Sequence, residues 1–252
     1  MPAPPLPGMD TDVQQAGAPS AGNWQLRCAV GHDLPGVAAV YMAAFPASVE
    51  HYTGVKPLGL HPEADSNFRA MRSMMTDAFA VCLAAEPEAF IVAERDGRLG
   101  GYIFAPESVS HVRRVAFVGG HVLRMPLRLL TGRYGPAWRA VWLSVRNTLG
   151  AYGIERRERR IVPACEARVL SVAVHPDFGG QGLGRRLVEA GLAYLRSRRV
   201  SQVRLEVRPD NVPALRLYRR LSFIEAGETR DSQGPWLVML ASLGEQAPAS
   251  AP

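Results

Sequence analysis

The stretch from residue 169 to residue 195 constrains the fold more than any other part of the chain. It begins with an apolar run, Val169 to Val174, that is typical of a buried β-strand. His175-Pro176-Asp177 follows, and the proline ends such a strand because it has no amide N–H to donate. Four glycines then occupy the six positions 179–184. Apolar and small residues next recur at helical spacing and predict a helix: Leu183, Leu187, Ala190, Gly191, Tyr194 and Leu195.

A strand, a glycine-rich turn and a helix in this order predict an anion-binding site. The first turn of a helix has unpaired amide N–H groups and a partial positive charge. Glycines let the backbone approach a ligand without Cβ clashes, so a phosphate or pyrophosphate fits such a turn. Arg185 and Arg186 oppose the helix dipole, and a bound anion would offset that cost. The glycine spacing at 180–184 matches neither a Walker motif nor a dinucleotide fingerprint.

Two motifs resemble one known family. From Val174 to Leu187 the sequence reads Val-x-Pro-x-x-x-Gly-x-Gly-x-Gly-Arg-Arg-Leu, which is similar to the acetyl-CoA-binding motif of the GNAT N-acetyltransferase superfamily. From Asn211 to Phe223 it resembles the family's Asn-x-x-Ala-x-x-Leu-Tyr-x-x-x-Gly-Phe motif. Gly179 stands where the family usually has Gln or Arg, and Ser222 where it has Gly; both changes keep the backbone N–H donors. The resemblance covers residues 164–242 by motif and residues 24–105 by pattern.

The resemblance implies an α/β fold and an acyl donor. The fold would be a mixed, mostly antiparallel sheet flanked by helices, in a single domain at 23–242 with a helical insertion before the cofactor-binding strand. The donor would be acetyl-CoA, with no metal. The strand at 172–174 would part from its neighbour and pair with the pantetheine arm, and an amide there would polarise the thioester carbonyl. The implied cofactor-binding residues are Val172, Ala173, Val174, Gly179, Gly180, Gln181, Gly182, Leu183, Gly184, Arg185, Asn211 and Tyr218.

Three residues are candidates for proton transfer. Tyr218 matches the family's tyrosine near the thioester sulfur, where it acts as general acid; a tyrosine packed in the core is the alternative. Glu206 precedes Tyr218 by 12 positions, as in the branch that acetylates the N-terminal alanine of ribosomal proteins, where this Glu serves as base. A solvent-facing strand carboxylate is the alternative for Glu206, and Glu166 is its rival as base.

The implied reaction is transfer of an acetyl group from acetyl-CoA to a primary amine on a small molecule or a peptide. Direct transfer in a ternary complex is expected, because no cysteine lies in a nucleophile motif. Two alternatives remain open. One is a longer-chain N-acyltransferase that uses acyl-CoA or an acyl carrier protein, and the other is a non-catalytic acyl-CoA-binding module.

The segment 107–160 is unusual in its length and in its content of arginine. It contains 11 arginines and 3 glutamates where a short connection to the next strand would suffice. Two amphipathic patterns, at 117–130 and 138–152, predict helices, and neither is long and uncharged enough to span a bilayer. Three interpretations are open: an insertion that covers the acceptor pocket, a homodimer surface, and a patch that contacts a membrane surface or an acidic acyl carrier.

The composition indicates the cellular compartment and the kinds of partner that the protein binds. The three cysteines are unpatterned, which favours a reducing cytoplasm over a disulfide framework or a zinc site. Residues 1–22 and 243–252 predict disordered tails, and the first lacks the pattern of a signal peptide. We expect a cytoplasmic protein without a specific nucleic-acid partner, because its net charge of +6 is concentrated in one segment.

Shorter patterns predict the remaining elements. Alternation at 25–30, the apolar run at 89–95 and the run at 99–105 predict strands, with Asp96-Gly97 as the turn of a hairpin. Asp33 is the expected N-cap of a helix through Phe45, and a second helix is expected from Phe68 to Phe79. Further elements are expected after the glycine-rich turn, namely strands at 202–208, 223–229 and 236–241 and a helix at 212–221.

Overall fold

The computed structural model describes residues 24–53, 66–119, 165–231 and 233–244. Its helices are α1 (Leu34–Ala44), α2 (Pro46–Thr53), α3 (Ser66–Ala85), α4 (Val109–Val118), α5 (Leu183–Ser197) and α6 (Val212–Arg220). Its strands are β1 (Gln25–Cys28), β2 (Phe90–Arg95), β3 (Arg98–Phe104), β4 (Arg168–Val169), β5 (Ser171–Val174), β6 (Gln202–Val207), β7 (Ile224–Asp231) and β8 (Gly234–Ser242). The predicted tail at 1–22, nearly all of the loop at 53–62 and the insertion beyond residue 119 lie outside the described residues. None of the described helices is long and apolar enough to cross a membrane.

The strands form two sheets that share one stretch of chain. One sheet has the order β1-β2-β3-β5, and the other has the order β4-β6-β8-β7. The single strand predicted from Val169 to Val174 divides at Leu170: β4 pairs parallel with β6, whereas β5 pairs antiparallel with β3. The other strand pairs in the described residues are antiparallel. The predicted mixed, mostly antiparallel α/β fold is therefore confirmed.

The first sheet begins with the predicted hairpin. Asp96 and Gly97 both have left-handed φ angles, 52° and 72°, which a two-residue turn of this kind requires. The register shifts after Ala93, so that Gly100 in β3 lies opposite no residue of β2 and forms a β-bulge. One face of this sheet packs on α1 and α3 through Phe90, Val92, Tyr102 and Phe104.

Helix α5 connects the two sheets into one core. It buries Leu183, Leu187, Val188, Leu192 and Leu195 against the second face of the first sheet and one face of the other. Each fully buried leucine stabilises the fold by about 2 kcal/mol. A Cβ at Gly191 would lie 2.7 Å from Ile103 Cδ1, so this glycine permits the close approach of α5 to β3. The predicted helical face is confirmed in part: Leu183, Leu187, Gly191 and Leu195 are buried. Ala190 and Tyr194 are only half-buried, and the buried Val188 and Leu192 were not predicted.

Two expectations differ from the structure at the edges of the fold. Asp33 occupies the N-cap position of α1 but forms no side-chain cap; its carboxylate instead binds the Arg27 guanidinium at 2.6 and 2.8 Å. Burial raises the pKa of Asp33, but the Arg27 hydrogen bonds and the Val30 amide outweigh it and lower the pKa overall. The predicted tail at 243–252 begins too early, because Leu243 is buried and its amide donates to Ser201 O at 2.7 Å.

Candidate active site

The free edge of β5 lies where the two sheets part. His175 N donates to Gly100 O at 2.8 Å, in register with the pairing of Ala173 and Tyr102. Because hydrogen-bonding direction alternates along an antiparallel strand, Ala173 points its backbone groups toward β3, and Val172 and Val174 point theirs away. The carbonyl oxygen of Ala173 is indeed close to β3, 2.7 Å from the position a Cβ would take at Gly101. In the described part of the chain, no strand pairs with this outer edge.

The glycine-rich turn follows this edge directly. Gly180 and Gly182 have φ angles of 74° and 76°, left-handed values that favour glycine. Gly182 is the N-cap of α5 and offers no side-chain cap. Among the described residues, the amide groups of 180–185 have no backbone acceptor, whereas Arg186 N bonds to Gly182 O. The predicted arrangement of a strand edge, a turn with free N–H groups and a helix N-terminus is therefore present.

The two arginines after the turn already have protein partners. Arg185 is exposed and pairs with Glu189 one helical turn later, at 2.7 Å. Arg186 Nη2 donates to the carbonyl oxygen of Trp24 at 2.9 Å. The helix thus accommodates both cations through these contacts, so their presence is not by itself a sign of a bound anion.

Helix α6 brings the second motif against the turn. A Cβ at Gly184 would lie 3.6 Å from Val174 and 3.9 Å from Leu217, so the turn, β5 and α6 converge at this residue. Asn211 caps α6, since its Oδ1 accepts the amide of Ala214 at 3.2 Å. Asn211 therefore has a structural role as a helix cap, beside the cofactor-binding role that the resemblance implies.

Tyr218 lies on the buried side of α6. It is 6% exposed and packs edge to face on Phe223, with ring centroids 5.8 Å apart. Burial raises the pKa of its phenol to about 12, so the group keeps its proton at neutral pH. Its hydroxyl has no hydrogen-bond partner within the part of the chain that the structure describes. A protonated phenol with an uncommitted hydroxyl can donate a proton, although the raised pKa makes it a weaker acid than an ordinary tyrosine.

Glu206 stands just past the point where β4 and β6 part. The last residue of β6 that pairs with β4 is Leu205, and Glu206 faces away from the core that Leu205 and Val207 enter. Its carboxylate accepts a 2.6 Å hydrogen bond from Arg204 and lies 4.0 Å from the Arg168 guanidinium. The side chain is 34% exposed, so it remains accessible from solvent.

The two arginines beside Glu206 were not expected as site residues. Arg204 is 5% exposed and lies beside Arg168 across the parallel pair. The alternation Val203-Arg204-Leu205-Glu206-Val207 contained the signal for Arg204, because it places residues 204 and 206 on the same face. The position of Arg168 depended on the pairing of β4 with β6, which no local pattern indicates.

Glu166 lies two residues before β4 and next to α4. Its Oε2 accepts from the amide of Ser110 at 3.1 Å and from the hydroxyl of Ser108 at 3.2 Å. Hydrogen bonds from Ser110 and Ser108 lower the pKa of Glu166 despite some burial. A carboxylate held this way fastens the start of α4 to β4, and its lowered pKa makes it a weaker base than an ordinary glutamate.

The three cysteines are free thiols with raised pKa values. Burial raises the pKa of Cys82 to about 12, and burial also raises the pKa of Cys28 and Cys165. Since the thiolate is the nucleophile, these thiols are poorly suited to carry an acyl group.

The acceptor side is described only in part. The insertion that one interpretation places over the acceptor pocket is described only up to residue 119. Within the described ranges, α2 meets the tip of the β7–β8 hairpin, where Ser48 Oγ donates to Gln233 Oε1 at 3.0 Å.

Comparison with known proteins identifies relatives of this arrangement. The model of the acetyltransferase (GNAT) family matches residues 60–223, more than half of the chain. A mycothiol acetyltransferase of Acidothermus cellulolyticus is 32% identical over 157 residues, 59% of this chain and 36% of that protein. The [ribosomal protein bS18]-alanine N-acetyltransferase of Escherichia coli is 46% identical over 61 residues, 24% of this chain and 41% of that protein. The chain thus spans about two fifths or less of the length of these curated relatives.

Solved structures resemble the whole fold. The crystal structure of SsHAT has a TM-score of 0.58 at 23% identity, covering 89% of this chain and 100% of that one. A likeness at this level of identity supports the fold and leaves the substrates undefined.

Proposed function

Because the chain belongs to the acetyltransferase (GNAT) family, we propose that it transfers an acetyl group from acetyl-CoA to a primary amine. The observation that carries this proposal is the outer edge of β5, which pairs with no strand of the described residues. This edge leads directly into a turn at the N-terminus of α5 whose amides have no backbone acceptor in the same ranges. An extended donor with amide groups at one end and phosphates at the other suits such a surface.

The donor would be held mainly by backbone groups. The turn at 180–185 offers its N–H groups and the positive end of the α5 dipole to the pyrophosphate. Val172 and Val174 would pair with the amides of the pantetheine arm, in the manner of an added strand. Ala173 supports this edge from behind through its pairing with β3.

The chemical step needs a base and an acid. The amine nitrogen attacks the thioester carbon, the new C–N bond forms and the C–S bond breaks. We assign the proton lost by the amine to Glu206, which is accessible and lies where the strands part. We assign the proton gained by the departing thiolate to Tyr218, which is protonated at neutral pH and whose hydroxyl is not committed to another group of the described residues. The products are the N-acetylated amine and free CoA.

Transfer is proposed to be direct. The raised pKa values of the three thiols argue against a covalent acyl-cysteine step. The amine must then meet the donor in a ternary complex, so initial-rate kinetics should give intersecting rather than parallel lines.

The acceptor is proposed as a primary amine on a peptide or small molecule. The Escherichia coli relative acts on an alanine of ribosomal protein bS18, as its name states, and its match favours including peptide N-termini in a screen. Homodimerisation and contacts of the basic segment with a membrane surface or acyl carrier stay predictions, as does a cytoplasmic location.

Calorimetric titration with acetyl-CoA, octanoyl-CoA and free CoA tests the proposal. We expect acetyl-CoA to bind most tightly and an amine screen to then reveal turnover. Clear preference for octanoyl-CoA would replace acetyl transfer with longer-chain acyl transfer. Absence of binding to all three would overturn the proposed role of the glycine-rich turn, and binding without turnover on any amine would favour a non-catalytic module.

A further inference from the structure

Trp24, the residue before β1, packs against the start of the glycine-rich turn. It is 2% exposed, and its ring meets Phe178 edge to face with centroids 4.8 Å apart. Phe178 ends the short 3-10 turn that leads into Gly179. A residue at the beginning of the described chain therefore contacts the entrance of a turn more than 150 positions later.

The same tryptophan also holds the exit of the turn. Its carbonyl oxygen accepts the 2.9 Å hydrogen bond from Arg186 Nη2, in the first turns of α5. The Arg95 guanidinium lies 4.4 Å from the centroid of the Trp24 ring and 5.5 Å from that of Phe178. Arg95 and Phe178 together enclose the ring, so both ends of the turn are attached to one buried side chain and its backbone.

The β-bulge at Gly100 makes this arrangement possible. A Cβ at Gly100 would overlap the ring of Trp24, so only glycine leaves room for it. The carbonyl of Gly100 accepts the amide of His175, the first residue after β5, at 2.8 Å. The bulge thus leaves room for the tryptophan and fixes the first residue after β5 at the same point.

We propose that Trp24 is a positioning residue that holds the glycine-rich turn in its binding conformation before the donor arrives. Glycines in left-handed conformations do not restrict their own backbone, so the order of this turn must come from contacts at its two ends. Ordering a loop on binding weakens affinity, and a turn held in advance avoids that cost. This inference rests on the proposed role of the turn in binding the phosphates of CoA.

Three variants test the inference. Trp24→Leu removes the aromatic contacts with Phe178 and Arg95, and Trp24→Phe keeps a ring at that position. Phe79→Leu is the matched control: Phe79 is a buried aromatic that packs on Tyr102, 5.2 Å between centroids, in the core on the other face of the sheet. Each variant is measured for CoA binding by calorimetry, for thermal stability, and for the KM of acetyl-CoA and kcat.

We expect Trp24→Leu to weaken CoA binding about tenfold and to raise the KM for acetyl-CoA. The kcat should change less than about twofold, because the ordered turn binds the donor equally in the ground state and in the transition state. Trp24→Phe should restore most of the affinity. Phe79→Leu should lower the melting temperature and leave the affinity unchanged. Unchanged affinity in Trp24→Leu, or equal weakening in Phe79→Leu, would overturn the inference.

Hydrogen exchange separates this inference from the proposed function. If the wild-type protein binds no CoA, the proposed function fails, and exchange still decides the role of Trp24. The amides of His175, Phe178 and Gly179 are hydrogen-bonded within or next to the turn. Faster exchange at these amides in Trp24→Leu than in Phe79→Leu supports positioning by Trp24, and equal rates contradict it.

Discussion

The two sides of the opening between β5 and β6 are built from different chemical groups. On the β5 side, the candidate donors are backbone amides of Val172, Val174 and the glycine-rich turn. On the β6 side, the candidate groups are side chains, Glu206 with its partner Arg204, and Tyr218 from α6. Backbone groups are present whatever residue occupies a position, whereas a side-chain group depends on one residue type. The difference predicts that changes on the β5 side alter donor affinity and that changes on the β6 side alter kcat.

The largest effect is expected on the β5 side. Gly182→Asp places a carboxylate where the phosphates would bind, and like charges in contact cost several kcal/mol, so we expect CoA affinity to fall about a thousandfold. Gly97→Asp is the matched control, because Gly97 has a φ of 72°, close to the 76° of Gly182, and equally open surroundings. Calorimetry with CoA should show normal affinity in the control; equal losses in both variants would attribute the effect to backbone strain.

Tyr218→Phe tests the β6 side by removing one hydroxyl. We expect kcat to fall about a hundredfold, in the range of a lost general acid, while the affinity for CoA stays within about twofold. Tyr194→Phe is the control, since Tyr194 is a half-buried tyrosine whose hydroxyl binds Glu86 at 2.8 Å away from the opening. Steady-state kinetics with a saturating amine give both values. Unchanged kcat in Tyr218→Phe would leave Tyr218 as a packing residue only.

Glu206→Gln tests the proposed base, because it replaces the carboxylate by an amide of nearly the same shape. We expect kcat to fall about tenfold, less than the usual contribution of a general base because water also accepts the proton. Glu225→Gln is closely matched, because Glu225 accepts a 2.6 Å bond from Arg219 as Glu206 does from Arg204. A fall in donor affinity without a change in kcat would break the proposed division between the two sides.

The smallest effect is expected at Glu166. Its pKa lies below the ordinary value of 4.5, so its contribution to stability is present above that value and is lost as the pH falls through the lowered pKa. Glu166→Gln should lower the free energy of unfolding at neutral pH by about 0.5 kcal/mol, with kcat unchanged. Denaturant unfolding of both proteins at neutral and acidic pH should show the difference disappear on acidification. A large loss of kcat would instead identify Glu166 as the base.

The sequence predicted the β5 side of the site, which consists of backbone groups, better than the β6 side, which consists of side chains. Four glycines after an apolar run are a local pattern, and the turn needs only local conformation to present its amides. The division of the strand at Leu170 was not visible, because Val169 to Val174 is apolar apart from Ser171 and its two pairing partners are distant in sequence. Leu170 itself is 42% exposed, which hydrophobicity alone does not indicate.

The partners of three charged side chains could not be read from the sequence. Asp33 has the residue type and position of an N-cap, yet the Arg27 guanidinium from β1 binds its carboxylate more strongly than a single backbone amide would. The roles of Glu166 and Arg168 likewise depend on partners more than 30 positions away in the sequence. Short-range spacing determines secondary structure, but the partner of a charged side chain is chosen by tertiary contacts.

The connection at Leu170 has a consequence for the order of assembly. β4 and β5 are consecutive, yet Ser171 pairs with Phe104 in one sheet while Val169 pairs with Leu205 in the other. The first sheet is complete only when β5 pairs with β3 across the intervening segment 105–170, and the second only when β4 pairs with β6 across α5. Such loop closures slow folding. We therefore expect the opening to form only in the final cooperative step, so that a partly synthesised chain that ends before β6 would contain the glycine-rich sequence but no catalytic cleft.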